Sequence, residues 1–362
     1  VRDTLCDRLL TQLPAHCLVQ DSESQRPFEC DGLSLYRELP LLVALPENTD
    51  QAQHVLRVCH ELAVPVVPRG AGTGLCAGAM PHREGVLLCL SKMDRILSVD
   101  PLARVATVEP GVSNLAISAA AAPHGLYYAP DPSSQIACSI GGNVAENSGG
   151  VHCLKYGLTV HKLLAVKLLT ADGNLVCLGG RSLDSAGYDL LALVTGSEGL
   201  LGVVVEVTVR LLPVPEKARL VMAGFDSVTA AGDAVGAVIG AGIIPAGLEM
   251  MDRLAIQAAE DFANAGYPRE AEALLLCEVD GTEEEVEFHA ARISELFQKQ
   301  GATSITVSAD EAQRELLWKG RKSAFGAIAN IQPDYYLHDT VVPRSALPAV
   351  LAQIYEIAER YE

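Results

Sequence analysis

The sequence predicts a mixed α/β protein of two domains, on three observations. Helix-type and strand-type hydrophobic patterns alternate from end to end of the 362 residues. Hydrophobic residues make up 49% of the chain and charged residues 20%, enough apolar side chain for more than one core. A proline-marked break, Leu212-Pro-Val-Pro-Glu216, separates an irregular first half from a regular second half.

The first stretch reads as a helix over 2–13, followed by a polar loop. Leu41-Leu-Val-Ala-Leu45 is a short buried strand. Asn48 or Thr49 suits the N-cap of the next helix, in which Val55, Leu56, Val58, Cys59 and Leu62 recur at helical spacing. Val64-Pro-Val-Val67 is a strand and leads into a glycine-rich loop, 70–78. Strands near 86–90 and 104–109 and a small-residue helix near 112–122 follow. Residues 127–150 mix Pro, Asp, Ser, Asn and Gly with little periodicity. So long a loop inside a compact domain points to function, and its composition argues against a core element. Strands resume at 163–169, 174–178 and 200–212.

Beyond the proline break, strands alternate with helices. The strands are placed at 219–224, 246–250, 273–279, 303–308 and 335–341. The helices are placed at 227–241, 253–265, 283–300, 310–329 and 345–360. Val286, Ala290, Ile293, Leu296 and Phe297 form one apolar stripe on the third of these helices.

Charge and cysteine usage exclude several classes. The chain has 27 Lys+Arg against 45 Asp+Glu, a formal charge of −18. That argues against nucleic acid and against an anionic membrane surface, since both are polyanions. No run of 18 or more apolar residues appears, so no transmembrane segment is expected. The first ten residues hold four charges, unlike a secretory signal. None of the ten cysteines is spaced C-x-x-C, and most lie in apolar runs such as Ala273-Leu-Leu-Leu-Cys277. They read as small buried thiols of a reducing, cytoplasmic compartment, with no iron–sulfur cluster of the usual Cys-rich kind and no metal site.

Three segments carry the chemistry. The first, Pro68-Arg-Gly-Ala-Gly-Thr-Gly-Leu-Cys-Ala-Gly78, follows a strand and offers bare backbone N–H groups, as a pyrophosphate requires. Gly72-Thr-Gly74-Leu-Cys-Ala77 imitates the G-x-G-x-x-A dinucleotide fingerprint, with Asp94 at about the right distance. That fingerprint needs a helix straight after the glycines. Gly78, Pro81 and Gly85 leave no room for one, so the nicotinamide reading is set aside. The second segment is Pro130-Asp-Pro-Ser-Ser134 with Cys138-Ser-Ile-Gly-Gly-Asn143-Val-Ala-Glu-Asn147-Ser-Gly-Gly150. The third is Thr195-Gly-Ser-Glu-Gly-Leu-Leu-Gly202.

Together these segments resemble those of the FAD-linked oxidases whose flavin domain is of the vanillyl-alcohol oxidase (PCMH) type, and most nearly those of the flavin subunits of glycolate oxidases. Phe28-Glu-Cys-Asp-Gly32-Leu, Tyr127 to Cys138 and Gly149-Gly-Val-His-Cys-Leu-Lys-Tyr-Gly157 also carry the resemblance. Gly247-Leu-Glu-Met-Met-Asp252 and Pro333-Asp-Tyr-Tyr336 extend it over the rest of the chain. The resemblance implies an α+β fold: an FAD-binding domain over 1–213, with subdomains 38–110 and 111–213, plus an α/β cap over 214–362. It implies that the amides of Gly70, Ala71, Gly72, Thr73, Gly74 and Leu75 hold the FAD pyrophosphate, with Pro68 and Arg69 also among the cofactor-binding residues. It further implies that Pro130, Asp131, Ser134, Ser139, Ile140, Gly141, Gly142, Asn143 and Ala145 line the cofactor path. Glu198, Gly199, Gly202 and Val203 are implied to close over it. The first loop has no His, the attachment point in relatives with covalent flavin, so non-covalent FAD is expected.

The reaction implied is oxidation of a small 2-hydroxy acid, such as glycolate or D-lactate, with hydride passing to FAD N5. An anionic substrate calls for a bidentate cation. Trp318-Lys-Gly-Arg321 resembles the stretch that supplies it, which nominates Arg321 as the catalytic-site clamp. Phe325 and Leu337 stand where some relatives bind a second carboxylate, which suits a monocarboxylate. His152 and His338 read as structural. Relatives carry a Gly-Asp-Gly-Asn-x-His segment that binds a divalent metal and supplies the base. No such segment occurs before Glu362, so the expectation is a C-terminally truncated form that binds FAD and risks being inactive. The other reading is an FAD-binding, non-catalytic or electron-relay subunit. The family implies partner subunits, one of them an iron–sulfur protein, and through them a peripheral place at the inner face of the membrane.

Overall fold

The computed structural model of the chain describes residues 2–181, 187–332, 337 and 339–361, with the side chain of Phe325 outside that description. The chain divides into two compact units, Val1–Gly150 with Tyr156–Val214, and Val151–Lys155 with Pro215–Glu362.

The first unit holds two main sheets. One has the strand order Leu18–Val19, Leu42–Ala44, Val86–Cys89, Val66–Arg69, with the last three parallel. Helix Thr49–Glu61 links two of those strands. Its N-cap is Asn48, whose Oδ1 accepts from Gln51 N at 3.0 Å. The parallel strands Val66–Arg69 and Val86–Cys89 are joined by the glycine loop alone; no helix forms over 70–85. A nucleotide-binding fingerprint of the Rossmann type is thereby excluded. The other sheet is antiparallel, in the order Ile96–Asp100, Val105–Val108, Val203–Arg210, Leu163–Leu169, Leu175–Gly179. Its core includes Val108, Ile117, Ile140, Val144, Val207 and Val209, all at 0% exposure.

Several expectations are corrected here. The first helix is Arg2–Leu9, not 2–13, because beyond Leu9 the chain tightens into i→i+3 turns, with Thr11 N donating to Arg8 O and Gln12 N to Leu9 O. Strand Ile96–Asp100 was not expected, since its first three residues are exposed and show no alternation. Its pairing places the break between the two sheets at 90–95, earlier than the 110/111 division read from the sequence. Residues 127–150 are not all loop. They contain helix Ile140–Glu146, whose Ile140 and Val144 are fully buried. Gly141 and Gly142 hid it from a propensity reading, but Gly141 lets the helix close on Pro110, where a Cβ would stand 2.7 Å away.

The second unit is built on a four-stranded antiparallel sheet. Its order is Gly247–Asp252, Ala273–Gly281, Lys217–Phe225, Ser304–Val307. Helices Val228–Gly240 and Glu283–Lys299 cover one face, meeting Val221, Phe225, Leu275 and Cys277. The opposite face, with Leu220, Met222, Leu274 and Leu276, meets helices Arg253–Ala263 and Glu311–Ile328. Burial on both faces explains the unbroken apolar run 273–277. Thr282 and Glu285 close a capping box at the start of Glu283–Lys299. The expected strand 335–341 falls mostly on residues outside the description, as do Pro333 to Tyr336 and His338. Six of the ten cysteines, Cys6, Cys17, Cys59, Cys89, Cys138 and Cys277, are buried. Among the described residues no helix is long and apolar enough to cross a membrane.

Candidate functional site

The first unit brings the three glycine-bearing segments together. Strand Val66–Arg69 delivers Pro68, Arg69 and the loop beyond it. Arg69 is 8% exposed; its Nη1 donates to the carbonyls of Cys30 at 2.7 Å and Ala79 at 3.4 Å. The guanidinium therefore closes the loop upon itself. Gly72 has φ +71°, and a Cβ there would lie 2.2 Å from Arg69 Nη2. The Gly32 N–H donates to Gly74 O at 2.9 Å, which ties Phe28–Leu33 to the loop. Ala71 and Leu75 are exposed and Thr73 is half-buried.

The second segment meets the first at Gly70. A Cβ on Gly70 would stand 2.2 Å from Ser139 Oγ. Ser139 is 4% exposed, and its hydroxyl has no hydrogen-bond partner among the described residues. It precedes helix Ile140–Glu146 without capping it, and a Cβ on Gly142 would come within 3.3 Å of the same oxygen. Ile140 and Asn143 point inward. Asn143 Oδ1 accepts from Asn114 Nδ2 at 3.1 Å, and that amide also donates to Pro130 O at 3.0 Å. Ser134 O accepts the N–H groups of Ala137 at 2.8 Å and Cys138 at 2.7 Å. A Cβ on Gly150 would stand 2.0 Å from Asp131 O, so this segment's two ends lie against each other. Apart from Ser139, these residues offer a ligand mainly backbone.

The third segment docks on the second and touches the first. The N–H groups of Gly196 and Glu198 donate to Val144 O at 2.9 Å and Ala145 O at 2.8 Å, satisfying carbonyls near the helix end. Gly199 has φ +76°, and a Cβ there would lie 2.5 Å from Pro68 Cγ. Gly202, where a Cβ would lie 2.6 Å from Leu169 O, leads into buried Val203.

Carboxylates frame the far end of the first loop: Glu198, which the sequence nominates, and Glu146, which it does not. Glu146 Oε1 lies 3.4 Å from where a Gly74 Cβ would be, and Glu198 Oε2 lies 3.4 Å from the same point on Gly78. Partial burial, then the charges of Glu198 and Asp31, push the Glu146 carboxyl above its ordinary value. Asp31 Oδ1 accepts from Leu33 N at 2.9 Å, while its Oδ2 is buried without a hydrogen-bond partner among the described residues.

In the second unit the polar groups lie on one sheet face. Glu249 pairs across from Leu276, and Gly247 from Glu278, so both glutamates face helix Glu311–Ile328. That helix answers with Arg314, Trp318 and Arg321, spaced along one side. Glu278, 2% exposed, accepts from Arg314 Nη1 at 2.6 Å, from His152 Nε2 at 2.9 Å and from Trp318 Nε1. Burial alone would raise its carboxyl. The His152 hydrogen bond and the Arg314 charge outweigh that and hold it below the usual carboxylate range. Arg321 Nη2 and Nε lie 2.8 and 3.1 Å from Glu249 Oε2. Gly320 is glycine because a Cβ would stand 2.5 Å from the Tyr267 hydroxyl. Leu337 is 39% exposed, and the side chain of Phe325 lies outside the description.

Comparison with known proteins follows the same division. A family model described as an FAD binding domain matches residues 40–179, and one for the C-terminal domain of FAD linked oxidases matches 214–362. The glycolate oxidase subunit GlcD of Escherichia coli K12 is 56% identical over 361 residues, all of this chain and 72% of that protein. Its Bacillus subtilis counterpart is 40% identical over 92% of this chain and 72% of that one. A D-lactate dehydrogenase of Anaerostipes hadrus is 32% identical over 87% and 68% respectively. Among solved structures, p-cresol methylhydroxylase superposes with TM-score 0.76 at 17% identity, over 90% of this chain and 71% of that one. An alkyldihydroxyacetonephosphate synthase superposes with TM-score 0.81 at 17% identity, over 99% and 75%.

Proposed function

Because this chain belongs to the FAD-linked oxidases, we propose that it is the flavin subunit of an oxidoreductase that converts a small 2-hydroxy acid, glycolate first and D-lactate second, to the 2-oxo acid. The observation that carries this reading is 56% identity to a glycolate oxidase subunit along the whole chain. When bound, FAD supplies the hydride acceptor.

The residues present fit that cofactor. The buried Ser139 hydroxyl lacks a protein partner beside Gly70, and side chains at Gly70 and Gly72 would fill the loop. In this reading the pyrophosphate lies against the amides of Gly70–Leu75 at the Ser139 end. Glu146 and Glu198 would repel phosphate and suit hydroxyl groups, so they belong toward the other end. FAD is held non-covalently, since the loop offers no His. Residues 214–362 serve as the substrate-side cap. Arg321 receives the substrate carboxylate, with Glu249 orienting its guanidinium. The chain works with partner subunits, an iron–sulfur protein among them, in the cytoplasm or at the inner face of the membrane.

Anaerobic addition of glycolate or D-lactate to the FAD-loaded protein, expressed from its complete reading frame, should bleach the visible flavin bands. A flavoprotein that no 2-hydroxy acid bleaches would leave only the non-catalytic, electron-relay reading.

A further inference from the structure

We propose a divalent-cation site of the zinc type at His16, Cys17 and Glu47, in the first unit. One imidazole nitrogen, one thiol sulfur and one carboxylate oxygen lie within 4.8 Å of one another. This nitrogen–sulfur–oxygen donor set favours a borderline-soft ion such as Zn²⁺ or Co²⁺ over Mg²⁺ or Ca²⁺.

The placement comes from a β-ladder. Strand Leu18–Val19 pairs with Leu42–Ala44, and the ladder runs on through the Leu45 N–H to Cys17 O at 2.8 Å. Residues just before the first strand are thereby set opposite residues just after the second. Glu47 is fixed in turn, its N–H donating to Gln51 Oε1 at 2.8 Å at the start of helix Thr49–Glu61. The three donors thus come from rigid main chain on both sides of the ladder.

Two of the three donors, Cys17 and Glu47, already hold a cation. Lys92 Nζ lies 3.6 Å from Cys17 Sγ and 3.5 Å from Glu47 Oε1, and His16 Nε2 lies 2.9 Å from that carboxylate oxygen. Lys92 therefore fills the place of positive charge, and a metal must displace it. Its side chain is 34% exposed, so it can swing to solvent. A tetrahedral zinc sets its ligand atoms about 3.3–3.8 Å apart, within reach of side-chain rotation at the two outer residues. His16 and Glu47 side chains are 64% and 41% exposed, which gives an entry path, while Cys17 at 0% closes the inner side. Water is the natural fourth ligand. The bound ion would staple the N-terminal segment to the first sheet.

The test is Co²⁺ titration of the full chain, read by the thiolate-to-cobalt charge-transfer band, with Zn²⁺ as competitor. One equivalent of Co²⁺ should develop the band, and one of Zn²⁺ should abolish it. Cys17→Ser should remove it. His16→Ala, at an exposed position where folding is not at stake, should weaken binding more than about tenfold, the lower end of the effect of losing even an outer-shell partner. Lys92→Met should tighten it. A wild-type protein with no thiolate band overturns the proposal. So does a band that survives both Cys17→Ser and His16→Ala, since another thiol would then be its source.

Discussion

In the first unit the residues gathered at the site offer mostly main chain, whereas in the second the groups that matter are charged side chains. Around Gly70 the sequence has removed side chains so that three segments can approach, and two of the polar side chains nearby, Arg69 and Asn143, are used on carbonyls and amides of the protein itself. Across the sheet face of the second unit, Glu278 and Glu249 are matched by Arg314, Trp318, His152 and Arg321. The difference fits the two tasks proposed. A large cofactor with a pyrophosphate is met by many weak amides, and a small acid by one strong cation.

The largest effect that would break this comparison belongs to Glu278. Glu278→Ala leaves Arg314 and His152 beside an apolar hole, and removing one partner of a buried ion pair costs about 3–5 kcal/mol. Thermal unfolding of the variant should show that loss, and its pH profile should change shape. Because the Glu278 carboxyl is held low in the folded chain, its contribution is present above the unfolded carboxylate range and is lost as pH falls through the folded value. The acid limb of stability should therefore be flatter in Glu278→Ala. An unchanged melting temperature would mean that the cluster is not a structural hub.

Next in size is Arg321→Ala, which should raise KM for glycolate by about 10- to 100-fold while FAD stays bound, the range for one charge-assisted pair. An unchanged KM would remove Arg321 from the substrate site. The smallest effect is at Glu146. Its raised carboxyl lies among like charges, so the negative charge of bound FAD, though held at the opposite end of the loop, should favour the protonated form slightly. FAD affinity should rise a few-fold on acidification through the Glu146 titration, and Glu146→Gln should abolish that slope. A slope that persists in the variant would assign the titration to another group.

The same contrast governs what the sequence disclosed. The strand–helix order of the second unit was legible because burial on both sheet faces leaves unbroken apolar runs bounded by caps such as Thr282. The glycine segments were legible because bare backbone leaves a compositional trace. Helix Ile140–Glu146 was not, since two glycines mask a helix whose stability comes from packing on Pro110 and the second core. Nor was the partner of Arg321, because Glu249 lies 72 residues away and only strand register brings it near. His16, Cys17 and Glu47 share no local spacing motif, and a β-ladder alone unites them.

The central claim is that FAD is held by a mainly backbone cradle where Gly70 meets Ser139. It is tested most directly by the FAD dissociation constant of Gly70→Ala, alone and with Ser139→Gly, read by quenching of flavin fluorescence. The added Cβ would sit 2.2 Å from Ser139 Oγ, so the single variant should lose FAD affinity by at least about a hundredfold, some 2.7 kcal/mol. Removing the Ser139 side chain should restore part of it. A single variant that binds FAD as the parent does would contradict the account.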